Sequence, residues 1–108
     1  MKIIDYYNFA ELCTERSNYI DILNIISGHI IKQQYFDTND IFDDIELHIM
    51  SSKNNVIIIK ACLTNLDNNL KSLDKSNIKD KLKKLITKYR LLSNNEIARL
   101  IIKIFKKC

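Results

Sequence analysis

The stretch that decides the fold is Val56-Ile57-Ile58-Ile59-Lys60-Ala61-Cys62-Leu63-Thr64-Asn65-Leu66. Its first four residues, read alone, make a buried β-strand: an unbroken β-branched run. The continuation argues otherwise. Apolar residues recur at 56, 59, 63 and 66, stepping by three and four, so one helix face carries them. The rest of the chain agrees. It has 108 residues, no proline and a single glycine, Gly28. Tight hairpin turns and phosphate-cradling loops depend on those two residue types, so turn-rich β folds and nucleotide loops are excluded. The expectation is an all-α protein, a compact helical bundle of five or six helices.

Working outward, Ser51–Asn55 reads as a polar connection, and before it Ile41, Phe42, Ile45, Ile49 and Met50 form an inward stripe. Asp37-Thr38-Asn39-Asp40 supplies N-cap residues for that helix, with Asp43, Asp44 and Glu46 near its positive dipole end. Further upstream, Tyr19, Ile22, Leu23, Ile26, Ile30 and Ile31 predict a long helix capped by Ser17 or Asn18 and ended by Gln33–Phe36. Residues 1–7 read as an arm or first turn, and Asn8 as the cap of a short helix with Glu11 completing a capping box. Downstream, Asp67-Asn68-Asn69 is expected to break the central helix. Ser76 or Asn77 then caps a helix with Ile78, Leu82, Leu85 and Ile86 inward. Tyr89-Arg90-Leu91-Leu92 is a partly apolar loop, and Ser93 with Glu96 opens the last helix, whose inward residues are Ile97, Leu100, Ile101, Ile104 and Phe105.

Charge is unevenly placed. Residues 1–50 hold nine acids and three bases, and residues 51–108 hold fourteen bases and four acids. Such asymmetry fits an acidic or nucleic-acid partner for the basic half, or attraction between the halves. Three cysteines (Cys13, Cys62, Cys108) form no CxxC pair, the usage of reduced thiols in an intracellular chain. No apolar run reaches the ~20 residues of a membrane span, and the first residues lack a signal-peptide pattern.

From Ile59 to Lys107 the chain resembles the N-terminal domain of the transcription elongation factor TFIIS, a helical module also found in elongin A, a Mediator subunit and lens-epithelium-derived growth factor. The family pattern is a leucine-rich helix, a Leu-x-x-Leu turn, Ile-Gly with apolar residues four and seven further on, and a closing basic helix. Ile59, Leu63 and Leu66 fit the first helix, Leu70 and Leu73 the turn, and Ile78, Leu82 and Leu85 the next steps. Ile97–Lys107 fits the closing helix, and no gap is needed. Lys79 stands where the family has glycine, Phe105 where it has tryptophan, and Ile86 where arginine is common. On this reading residues 37–108 form the module and 1–36 an N-terminal helical extension of one domain.

The resemblance implies a non-catalytic interaction module of the elongation machinery, nuclear in a eukaryote, whose partners are disordered acidic-plus-aromatic peptides. In the growth-factor member a Phe-Lys-Val stretch before the last helix lines the pocket. Tyr89-Arg90-Leu91 has the same order here, with a one-residue difference in spacing. Tyr89 and Leu91 then either close the core or, with the facing loop of Lys53, Asn54 and Asn55, rim a peptide pocket, with Lys53, Lys88 and Arg90 as its positive charge; the pocket is the expectation carried forward. An alternative is a viral or parasite helical bundle, Bcl-2-like or similar, that binds a host regulator in nucleus or cytoplasm. A basic helical nucleic-acid-binding domain is another, but the residues are mostly lysine with few aromatics nearby, so a solvated helix face is favoured. Enzyme chemistry has little footing. His29 and His48 share no metal-ligand spacing, Asp43-Asp44 reads as a helix start, and no nucleophile turn exists without glycine. No catalytic site, metal or cofactor is expected.

Overall fold

The computed structural model describes residues 2–108, all in one polypeptide globule measuring 43 × 29 × 18 Å. Six helices follow one another: α1 (Ile3–Glu11), α2 (Arg16–Lys32), α3 (Thr38–Ser51), α4 (Val56–Asn69), α5 (Ile78–Tyr89) and α6 (Asn95–Lys107). Short 3₁₀ turns at Leu70–Ser72 and Leu91–Ser93 complete the pattern, and no strand occurs among the described residues. Val56–Ile59 is helical, as its downstream periodicity requires.

α4 is the centre of the molecule, packed against α2, α3 and α6. That position explains its strand-like beginning. Ile58, Ile59, Ala61, Cys62, Leu63 and Leu66 are all buried, so the helix is apolar around most of its circumference, and Val56 alone of the expected stripe is exposed. The core runs unbroken from Tyr7 and Leu23 through Ile41 and Ile58 to Leu82, Ile101 and Ile104. Residues 2–36 share that core. Phe105 and Leu100 are half-buried against it, and Met50 is exposed, a departure from the inward position expected.

Consecutive helices form three hairpins, α1–α2, α3–α4 and α5–α6, the last joined through the 3₁₀ turn at Leu91–Ser93, which contacts both of its helices. Tyr7 meets His48 and Glu11 meets Lys53, so α1 and α3 run in the same direction. Thr38 reaches the Asp74 carbonyl and Glu46 reaches Tyr89, so α5 lies alongside α3 in the same sense. On the other layer, Lys60 pairs with Glu96 at one end and Asp67 with Lys103 and Lys107 at the other, making α4 and α6 parallel neighbours. The C-terminal end of α2 lies against the last turns of α4, where Asn65 and Asn69 meet the Ile31 and Gln33 carbonyls. Apart from the linker pair Tyr35–Asp44, side-chain hydrogen bonds between hairpins and their linkers join residues 32 to 43 apart. A near-constant separation is the mark of stacked helical repeats, each unit burying the face its neighbour leaves open.

Several element ends differ from the sequence expectation. α1 starts at Ile3, with the Asp5 carboxylate accepting from the Lys2 backbone N–H at 3.0 Å, so Asn8 lies inside the helix and caps nothing. Met1 lies outside the described residues. α2 begins at Arg16, ahead of both Ser17 and Asn18, and its N-cap Glu15 makes no side-chain cap bond. Asn94, rather than Ser93, caps α6 by accepting from the N–H groups of Glu96 and Ile97. Asp37 and Asn55 cap α3 and α4 as their residue types suggest.

The largest correction concerns Asp67-Asn68-Asn69, which does not break α4. Asn65 and Asn69 are buried on its inner side and secure the end of α2. Asn65 Nδ2 donates to the carbonyls of Ile31 (3.3 Å) and Gln33 (2.8 Å), and Asn69 Nδ2 donates to Gln33 (3.1 Å) and Asn65 (2.8 Å). Asn69 Oδ1 accepts the Tyr35 backbone N–H at 2.9 Å. Carbonyls orphaned at the C-terminus of α2 thus find donors on α4, which offsets the cost of burying two amides.

Candidate functional site

Because α4 and α6 are parallel, both N-termini open at the same end of the molecule. There the α3–α4 loop borders a concavity of about 390 Å³ against the first hairpin on one side and, with the α5–α6 connection, encloses one of about 260 Å³ between the two helix starts. The second is the candidate site. Ile59, Leu91 and Ile97 are buried and form its floor, while Asn54, Val56, Tyr89, Arg90, Ser93 and Asn94 complete the lining.

Of the residues named from sequence, Asn54, Tyr89, Arg90 and Leu91 come together here. Asn55 is adjacent and occupied as the α4 cap, its Oδ1 accepting from Ile57 N–H at 2.9 Å. Leu91 is 2% exposed, a floor residue rather than the rim residue expected, because the 3₁₀ turn folds it onto α6. Lys53 and Lys88 lie elsewhere. Lys53 pairs with Glu11 at 3.1 Å and lines the 390 Å³ concavity with Tyr7, Cys13 and Tyr19. Lys88 pairs with Glu46 in a groove between α3 and α5 floored by Phe42 and Leu85. Arg90 remains as the one base lining the candidate site, and no ion pair among the described residues engages it.

Two of the lining residues hold strained backbone. Arg90 (φ 53°) and Asn54 (φ 61°) are left-handed, as is Lys53 (φ 54°). Arg90 turns the chain after α5 while its N–H still bonds the Ile86 carbonyl. Asn54 N–H likewise bonds the Ile49 carbonyl at 3.0 Å to close α3. Glycine usually takes such positions, and a non-glycine residue there costs roughly 1–2 kcal/mol.

Tyr89 is half-buried, and its hydroxyl donates to Glu46 Oε1 at 2.9 Å. Hydrogen bonds from Lys88 and Tyr89 hold the Glu46 carboxyl below its ordinary range, so it stays a charged acceptor. Glu46 was not among the residues expected to matter. It sits 43 residues from Tyr89, and only the stacking of α3 on α5 brings them together.

A smaller cavity of about 190 Å³ lies between α1, α2 and α3, lined by His29, His48, Tyr35 and Asp44 among others. His48 is part-buried, with Nδ1 2.8 Å from the Tyr7 hydroxyl, and burial lowers its pKa against the pull of Asp44. Tyr35 donates to Asp44 at 2.6 Å. Among the described residues no group of three or more His, Cys, Asp or Glu side chains is placed to hold a metal. Burial pushes the Cys62 thiol up to about 12, far from an activated nucleophile. No helix of the described residues is long and apolar enough to cross a membrane.

The site therefore defines a class: stacked helical hairpins with an apolar-floored concavity opened by two helix N-termini. Comparison with family models, curated proteins and solved structures returns no match.

Proposed function

We propose that the protein is a non-catalytic docking module that takes a bulky apolar or aromatic side chain of a disordered partner segment, flanked by acidic residues, into the concavity between α4 and α6. The observation that carries this reading is the combination of an apolar floor (Ile59, Leu91, Ile97) with a rim whose single base, Arg90, has no acidic partner among the described residues. The N-termini of α4 and α6 add their positive dipole ends on the same side, which favours acidic flanks. At about 260 Å³ the concavity is below the ~300–1,000 Å³ usual for small-molecule sites and suits one anchoring side chain. The likeness of Ile59–Lys107 to the TFIIS N-terminal module supports placing that activity in transcription elongation, with nuclear residence in a eukaryotic cell.

The test is a fluorescence-anisotropy titration with a short labelled peptide carrying one phenylalanine among aspartates and glutamates. A buried anchor typically carries ≥ 2 kcal/mol, so Ile97→Ser should weaken binding by roughly thirtyfold or more. Arg90→Ala should weaken it less, and less still at high salt. Tyr89→Phe keeps the ring, drops only the Glu46 bond, and should leave affinity close to that of the parent. A peptide that binds all these variants alike, each confirmed folded by circular dichroism, would move the site elsewhere.

A further inference from the structure

The three hairpins differ sharply in charge. Residues 2–32 carry three bases and four acids, residues 33–69 two bases and six acids, and residues 70–108 twelve bases and three acids. Stacking neutralises part of the last group. Glu46 takes Lys88 and Asp67 takes both Lys103 and Lys107, whereas Glu96, one of the last group's own acids, is taken by Lys60. The first half of α5 is left out of this. Lys79, Lys81, Lys83 and Lys84 enter no ion pair among the described residues, and the only acid between Ile78 and Tyr89 is Asp80.

That placement works against the fold's own stability. Lys79 and Lys81 sit in the first turns of α5, where the helix dipole disfavours cations. Lys79 and Lys83 are a like-charge pair four residues apart on one face of the helix, where they repel. Sites where local rules are broken without internal compensation are where an external partner is expected. The chemistry of that partner follows from what the surface lacks. No large hydrophobic residue between Leu73 and Leu91 is exposed, although Val56, Leu92 and Ile102 are exposed nearby. A membrane-bound helix needs apolar side chains to insert. The apolar-floored groove beside these lysines, over Phe42 and Leu85, is rimmed by Asp43 and Glu46, which repel an acidic peptide. A polyphosphate needs no apolar contact.

We propose that α5 is a sequence-independent contact surface for the phosphate backbone of a nucleic acid, separate from the concavity at the α4 and α6 N-termini. From Lys79 to Lys84 the helix rises about 7.5 Å, and long side chains extend that reach on both sides of α5. With three or four phosphates engaged, log K should fall against log salt with a slope of about −3 for duplex DNA. Affinity in the micromolar range is expected at low salt, because only charge is read.

The experiment is an anisotropy titration of the full chain with a fluorescein-labelled mixed-sequence DNA duplex at several salt concentrations. Two double variants with the same change in total charge decide it. Lys79→Glu with Lys83→Glu should weaken binding about tenfold or more and flatten the salt slope. Arg16→Glu with Lys32→Glu, on the first hairpin, should stay within about twofold of the parent. Circular dichroism confirms that each is folded, and Lys79→Gln with Lys83→Gln serves if the reversal unfolds α5. Equal loss in both double variants would reduce the effect to bulk charge and overturn the proposal. So would absence of duplex binding at low salt. Tighter binding, at matched salt, to phosphatidylserine vesicles or polyglutamate than to duplex would overturn the assignment of class.

Discussion

Replacing Asn69 by alanine should destabilise the protein by about 2–3 kcal/mol, a large effect for a residue in a run of polar side chains. Asn69 is 7% exposed and makes three bonds through its amide: to the Gln33 carbonyl, to the Asn65 carbonyl and from the Tyr35 N–H. They are not equally costly to lose. The Gln33 carbonyl keeps Asn65 Nδ2 at 2.8 Å, and the Asn65 carbonyl sits in a helix that can serve it. The Tyr35 N–H is left with no partner in a part-buried linker, at a cost of ~1–3 kcal/mol, with up to about 1 kcal/mol for the rest. In a domain of this size that corresponds to a fall in Tm of order 10 °C. Urea unfolding followed by circular dichroism measures it, and the neighbour Asn68→Ala is the control, since Asn68 is exposed. If Asn69→Ala costs no more than Asn68→Ala, the amide does not fasten the α2–α3 linker and the account of α4 as a capping partner for α2 is wrong.

His48 gives the chain an acid sensitivity above the carboxylate range. Burial lowers its pKa from 6.5, so the unfolded chain binds a proton more readily than the folded one, and stability should fall as pH drops below about 6.5. His48→Gln should flatten that slope, whereas the lowered carboxyls of Glu46 and Asp67 should matter only below about pH 4.5. Two glycine exchanges test backbone strain in opposite directions. A Cβ at Gly28 would meet nothing within 4 Å, so Gly28→Ala should stabilise α2 by about 0.5–1 kcal/mol. Arg90→Gly should release left-handed strain for a gain of about 1 kcal/mol, while removing the positive charge from the candidate site. Thermal melts read both, and a loss of stability in either would refute the strain argument.

The hairpin stack accounts for where the two candidate surfaces lie. Parallel neighbours α4 and α6 put two helix starts at one end, and the connections that precede them bring Asn54 and Arg90 to the same rim. Glu46 of α3 and Asp67 of α4 take Lys88, Lys103 and Lys107 of the third hairpin, while Lys79, Lys81, Lys83 and Lys84 on the first half of α5 enter no ion pair among the described residues.

What the sequence determined by itself was the helical character, the number of elements and most of the inward side chains. Those follow from near-neighbour chemistry: the three- and four-residue spacing of Ile41, Ile45 and Ile49 or of Ile78, Leu82 and Leu85, and the caps at Asp37 and Asn55. The meeting of Tyr89, Arg90 and Asn54 at one end also follows from an alternating up-and-down path of the helices. Tertiary structure alone decided the rest. Val56 faces out and Cys62 faces in because α4 has neighbours on several sides, which no single-helix periodicity encodes. Asn65 and Asn69 look like surface or breaker residues until the end of α2 arrives with carbonyls to satisfy. Lys53 and Lys88 leave the site for Glu11 and Glu46, each 42 residues away. Spacing along the chain specifies which face of a helix a residue occupies; only the packing of one hairpin on the next specifies what that face meets.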